Sequence, residues 1–217
     1  VPTDICRGWT PDAASSSSVC SQGTAVVGGG SCNLVAWALY DQNWRADLAI
    51  LNGGACGSEL LSGDFTLSSA TALIPKNPSL VTVELTGTQI VAILEASIDA
   101  FIGATPGKAA LDAYPFCSAL RFDVNTMASK GERLSAIEFF TSSNRWVPLD
   151  LGNTYNVLTT SDLVKGNTPG YELFAEVDSS TLRDTMLGSV DTLLEFAADW
   201  ETLFEPPREK HSTQAFT

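Results

Sequence analysis

Histidine is almost absent: His211 is the only one in 217 residues. Two-metal phosphoesterase sites need several His and Asp ligands in fixed geometry, and a Ser-His-Asp triad needs an oriented imidazole. Both would rest on this one side chain. It follows Pro206-Pro207 and reads as a solvated tail residue. Basic residues are scarce too. Twelve Lys and Arg against 25 Asp and Glu leave a net charge of −13, a field that repels nucleic acid and anionic membrane and favours solubility. No apolar run reaches the roughly 18 residues that cross a bilayer. The phosphate-cradling GxxxxGK[ST] and GxGxxG loops are missing. So is any CxxC pair, and one histidine cannot complete a Cys/His zinc site of ordinary spacing. The expectations are no cofactor, no metal, no catalytic residue in this chain, no nucleic-acid partner and no membrane insertion. The opening Val1-Pro2-Thr3-Asp4 lacks a methionine and a basic-then-apolar leader, which reads as a trimmed chain.

Hydrophobic residues make up 44% and charged residues 17%, so the chain is globular rather than disordered. Five cysteines occur: Cys6, Cys20, Cys32, Cys56 and Cys117. Three fall in the first 32 residues, among serines and glycines that cannot build a core. A disulfide has an obvious structural use there and favours an oxidising, extracytoplasmic compartment: secreted, periplasmic or an organelle lumen. The odd number leaves one thiol free or paired to another chain. Cys56 follows a glycine turn, but no histidine or basic neighbour activates it, so a disulfide or buried thiol is the better reading.

Residues 1–31 read as an irregular, disulfide-tethered segment, and residues 32–217 as one domain. Ser31 is placed to cap a helix over 33–40. An apolar strand over 47–51 ends in Asn52-Gly53-Gly54, where bare backbone can approach a ligand. Residues 79–85 alternate, with Val81, Val83 and Leu85 on one face. Thr86 and Gln89 then form a capping box before a helix that carries Ile90, Leu94, Ile98 and Phe101 on one stripe. Strands follow at 119–124, 134–140 and 155–160. A last helix is expected over 182–204, ended by Pro206-Pro207, and the tail 208–217 is polar. Asp123, Asp150 and Asp162 are the carboxylates placed for acid–base work, though turn and strand-edge Asp residues more often cap backbone. Hairpin-like strands with long helices argue for a mixed-sheet α/β fold.

Several segments also form a collinear set: ADLAILNGG at 46–54, Leu73-Ile74-Pro75, Glu84-Leu85-Thr86-Gly87 within 80–94, PFCSALRFD at 115–123, Pro148-Leu149-Asp150 before Thr154-Tyr155-Asn156-Val157, Gly170-Tyr171 with Phe174, and Ser212-Thr213-Gln214. Across roughly 30–217 this set resembles the C-terminal, substrate-binding domain of 5'-nucleotidases. The resemblance implies a four-layer helix-sheet-sheet-helix arrangement. It also implies a nucleotide cleft in which two Phe residues sandwich the base while Asn, Asp and Arg hold sugar and phosphate. Carried over by position, the Asn falls on Asn52 and is retained, and Gly53, Gly54, Gly170 and Tyr171 keep the motif backbone. One Arg falls on Gly57 and another near Ala25, the two Phe fall on Lys76 and Leu163, and the Asp falls on Pro169. Those substitutions remove both stacking faces and two bidentate anion grips.

The resemblance therefore implies a degenerate, non-catalytic module acting as a structural or protein-interaction element. The alternative is the substrate-binding half of a metal-dependent 5'-nucleotidase or phosphatase, with the family's N-terminal metallophosphatase domain as its missing partner. The chain alone is not expected to be an enzyme. The family fold also implies a bond between Cys56 and Cys117, with a second bond joining Cys32 to Cys6 or Cys20.

Overall fold

A computed structural model describes residues 1–6, 29–104 and 112–217. Nine strands within these residues form two mixed sheets. The larger has the order β3-β1-β7-β2-β8, built from β1 (Leu48–Asn52), β2 (Ser79–Thr86), β3 (Pro115–Ser118), β7 (Thr154–Thr160) and β8 (Arg183–Gly188). The smaller, in the order β6-β5-β4-β9, contains β4 (Leu120–Val124), β5 (Leu134–Phe140), β6 (Trp146–Pro148) and β9 (Thr213–Phe216). Ala119, at φ 56°, separates β3 from β4 and lets one extended run serve both sheets. Two sheets with helices packed against them are the mixed α/β architecture that the resemblance implies.

β1 and β7 run parallel, Leu48 beside Val157 and Ala49 beside Leu158. Parallel pairs are covered on both faces and read as continuous apolar runs, and Leu48, Ala49, Ile50 and Leu51 are all buried. β2 lies between β7 and β8. Both of its faces also carry buried residues, Leu80 and Thr82 on one and Val81 and Val83 on the other. The alternation in the sequence marks the strand but does not mark a solvent face.

α1 (Gly30–Asp41) packs on β1 and β3 and against α4 (Ser189–Ala198). Its cap is Gly29, not Ser31. Ser31 is fully buried and its hydroxyl donates to Ser58 O at 3.0 Å. A short helix, α2 (Leu67–Leu73), carries a capping box of Thr66 and Ser69. The box of Thr86 and Gln89 opens α3 (Gly87–Gly103) as expected, and Ile90, Leu94 and Ile98 are fully buried along its stripe. Glu95 and Asp99 on α3 reach the smaller sheet. Glu95 accepts the N–H groups of Arg133 and Leu134 at 3.0 and 2.8 Å, and Asp99 pairs with Arg133 at 2.7 Å.

The last expected helix is half strand. Residues 183–188 form β8, antiparallel to β2, and only Ser189–Ala198 is helical. Met186, which helical spacing would group with Leu182 and Val190 on one buried face, has φ 59° and is 90% exposed. The tail is not solvated either. β9 runs parallel to β4, Phe122 beside Thr213, and Ser212 and Thr213 are fully buried. The Tyr114 hydroxyl meets the Thr213 hydroxyl. His211 is 5% exposed and its Nε2 donates to Pro206 O at 2.9 Å. The expectation of a solvated histidine is thus corrected, because the strand that follows pulls it inside.

The cysteine pairing also differs. Cys56 is bonded to Cys32, at a Cα separation of 5.6 Å, and not to Cys117. Cys56 leaves the turn after β1 towards α1, where Cys32 sits one residue beyond the buried Ser31. Cys117 lies on β3 opposite Ile50, free and buried, with Tyr171 for a neighbour. Cys6 is disulfide-bonded as well, and Ile5 bridges to Leu60. What the sequence suggests for 7–28, including Cys20 and the position near Ala25, lies outside the described residues. Burial pushes the Cys117 thiol far above the ordinary cysteine range. It should therefore stay unreactive towards an aromatic disulfide reagent in the native protein and react only on unfolding. One rapid equivalent under native conditions would contradict the burial.

Candidate functional site

In open sheets a crevice forms beyond the carboxyl ends of neighbouring parallel strands. Here those ends are Asn52 on β1 and Thr160 on β7. β1 passes directly into a 3-10 turn, Gly53–Ala55. The turn is fixed from β3's side of the sheet: Gly53 N donates to Tyr114 O and Asn52 Nδ2 to Asp112 O, each at 2.9 Å. Gly54 lies under the Asn52 amide. A Cβ there would sit 2.7 Å from Nδ2, so a bulkier residue would displace the side chain. β7 continues through Asp162 into a 3-10 turn, Leu163–Lys165, whose first N–H is held by Thr160 Oγ1 at 3.3 Å. The third wall is the approach to β2, with Lys76 and Pro78.

The cleft so formed has a free volume of about 40 Å³, and among the described residues no aromatic ring lines it. That is room for a few waters, since about 10–15 Å³ of such space holds one. Lys76 stands exposed at its edge. Asp162 also lines it and pairs with Lys165 at 2.8 Å. Both members of that pair are at least half exposed, so it contributes little to stability. Leu163 is 1% exposed and anchors the turn in the core.

The structure thus brings Asn52, Gly54, Lys76 and Leu163 to one cleft, with Gly53 buried beneath. Gly170 and Tyr171 do not line it and pack against α3 instead. Gly170 has φ +86°, and a Cβ on it would lie 2.6 Å from Ser97 Cα. Tyr171 is fully buried and stacks on Phe174. Burial pushes its hydroxyl pKa well up, and its polar neighbours are Ser97 and Cys117. This pair seats the 3-10 segment Glu172–Glu176 on α3. Pro169 does not line the cleft. Gly57 is closed to any side chain, since a Cβ would meet Pro75 Cδ at 2.6 Å and Ala72 O at 2.7 Å. An arginine at 57 would require the 72–75 backbone to move.

Asp123, Asp150 and Asp162 do not converge. Asp123 lies on β4, and Asp150 caps its own turn by accepting Gly152 N at 2.9 Å. Among the described residues no three His, Cys, Asp or Glu gather as metal ligands. Sequence reasoning passed over Thr160 and Thr168 as lining residues. No local pattern marks them; only the pairing of β7 beside β1 brings Thr160 to Asn52.

Known proteins resemble this chain in sequence and in fold. The sequence profile described as "5'-nucleotidase, C-terminal domain" matches residues 11–176. A protein of Haemophilus influenzae named NAD 5'-nucleotidase is 26% identical over 163 residues, which is 74% of this chain and 25% of that protein. A probable 5'-nucleotidase of Treponema pallidum is 25% identical over 154 residues, 70% of this chain and 25% of that one. The chain therefore spans about a quarter of the curated relatives it matches. Among solved structures, the Haemophilus influenzae NAD nucleotidase superposes with a TM-score of 0.83 at 20% identity, covering 100% of this chain and 37% of that one. A 5'-nucleotidase precursor from Thermus thermophilus gives 0.73 at 20% identity, over 87% of this chain and 35% of that one.

Proposed function

This chain belongs to the 5'-nucleotidase C-terminal domain family, and from that premise we propose that it is the substrate-binding half of a metal-dependent phosphoester hydrolase. The metal and the catalytic residues would come from a metallophosphatase domain outside this sequence. The observation that carries the reading is the cleft at the carboxyl ends of β1 and β7, where Asn52 and Lys76 face the same opening. Asn52 offers an amide oxygen to a hydroxyl, and Lys76 offers a mobile cation to an anionic oxygen. Both groups are polar, so the contacts they supply are to the substrate's sugar or phosphate. The bond between Cys32 and Cys56 supports an extracytoplasmic location.

A second reading, a structural module with no substrate, draws on the small size of that same cleft. The two separate in the parent protein. The purified chain should not turn over AMP or p-nitrophenyl phosphate, with or without manganese or zinc. The parent protein should hydrolyse a phosphomonoester, and Lys76→Ala or Asn52→Ala should raise its KM about tenfold with kcat little changed. A parent whose KM ignores both substitutions defeats the substrate-binding role. A parent with no hydrolase activity leaves the structural module standing.

A further inference from the structure

The larger opening in the molecule lies elsewhere. It has a volume of about 470 Å³ and is lined by Trp44, Arg45, Thr82, Asn156 and Arg183, among others. It sits where the chain enters β1, the opposite end of that strand from Asn52. Five residues at ~3.3 Å each place the two openings roughly 16 Å apart. We propose that this second cleft binds a planar organic oxyanion, an aryl phosphate or carboxylate.

Three observations converge on that class. The first is charge. The chain has 12 basic residues against 25 acidic ones, yet two arginines share this cleft. Among the described residues, neither meets a carboxylate: the ion pairs involve Arg121, Arg133, Lys165 and His211. Arg183 donates only to the carbonyls of Ser180 and Leu182. One carboxylate, Asp184, also lines the cleft; its Oδ1 accepts Met186 N at 2.8 Å and it pairs with neither arginine, so two cations face one anion. An arginine fork with no ion-pair partner is suited to a bidentate oxyanion.

The second observation is Trp44, which is 84% exposed. The Arg45 guanidinium lies 4.9 Å from its ring centroid. Ring and cation are therefore presented together, and a flat anion can lie against the indole while its charge meets the guanidinium. The third is that the cleft is built and not a loose surface dent. Asn43 and Thr82 are buried in its wall. Asn156 Nδ2 donates to Arg45 O at 2.5 Å and Asn156 N to Asp47 Oδ2 at 2.8 Å, which locks the 42–46 loop onto β7. The volume falls in the range of small-molecule sites.

This inference is independent of the hydrolase reading, and its test is local to Trp44. The indole N–H resonance of Trp44, assigned by its loss in Trp44→Phe, is followed during titration of the chain with phenyl phosphate, benzoate and phenol. Phenyl phosphate or benzoate should shift it saturably, and phenol should not. Whichever of the two anions binds more tightly tells a phosphate ligand from a carboxylate one. The double substitution Arg45→Gln with Arg183→Gln, at two exposed positions, should weaken that binding by about tenfold or more. Absence of a saturable shift with either anion up to about 10 mM overturns the proposal. So does a shift that survives the double substitution, or an equal shift with phenol.

Discussion

Replacing Gly170 by alanine should lower the stability of the domain by about 4 kcal/mol, the sum of left-handed strain and a backbone clash. Its φ of +86° is costly for any residue with a Cβ. That Cβ would also lie 2.6 Å from Ser97 Cα and 2.8 Å from Ala96 O. Both are backbone atoms of α3, which cannot yield as the end of a flexible side chain can. The turn that carries Tyr171 and Phe174 would have to lift from the helix, and both of those rings are buried. In thermal unfolding the loss corresponds to roughly 10 °C for a domain of this size. Gly103→Ala is the control. It lies at the end of α3, with no atom of the described residues within 4 Å of the added methyl, and should change stability by no more than about 0.5 kcal/mol. Equal melting temperatures for Gly170→Ala and Gly103→Ala would refute the packing role assigned to the Gly-Tyr turn.

That turn shows what sequence can and cannot disclose. Gly170-Tyr171 is visible as a motif, but its purpose, seating one segment on α3, depends on a helix some seventy residues earlier. Features written within one turn of chain were legible. The Thr86–Gln89 box, the Ile90-Leu94-Ile98 stripe and the extent of β5 follow from local spacing and capping chemistry. Features set by distant pairing were not. Leu182, Met186 and Val190 fall at helical spacing, yet the free edge of β2 takes residues 183–188 as a strand, and Gly188 ends it before α4 starts. The polar ending hides β9 because a four-residue parallel strand gains its stability from β4 and not from its own composition. His211 is carried inward with it.

The cleft was legible in the same partial way. Asn52 and its glycines announce themselves as a strand that stops in bare backbone. Lys76 and Leu163 enter only through the collinear resemblance, as the positions where the family's two Phe are replaced, and the fold does set them beside Asn52. Thr160 was illegible because nothing in residues 154–160 says that β7 will run parallel to β1. The closure of Gly57 against Pro75 could not be read at all. A glycine in a loop signals conformational freedom, whereas here the missing side chain is what lets the 72–75 turn close down.

The cysteines tie the fold to the cleft, and removing one bond should be felt in both. Cys32→Ala with Cys56→Ala should destabilise the domain by about 3 kcal/mol, the loop-entropy value for a crosslink that spans 24 residues. The melting temperature should fall by roughly 8 °C. The double substitution is preferred to reductant, because Cys6 is disulfide-bonded too and a reductant would break more than one constraint. The effect should also be local. Cys56 immediately follows the Gly53–Ala55 turn that forms one wall of the cleft, and Cys32 holds it to a fully buried stretch of α1. Without the bond, that wall keeps the hydrogen bonds from Gly53 N to Tyr114 O and from Gly57 N to Leu73 O, but loses its covalent anchor. Amide exchange should therefore accelerate across 53–57 while β2 and α3, which no disulfide touches, keep their protection apart from the global loss. If the fold is as stable without the pair as with it, the bond does not constrain the chain. If stability falls but exchange at 53–57 rises no more than in α3, the bond supports the domain without shaping the cleft.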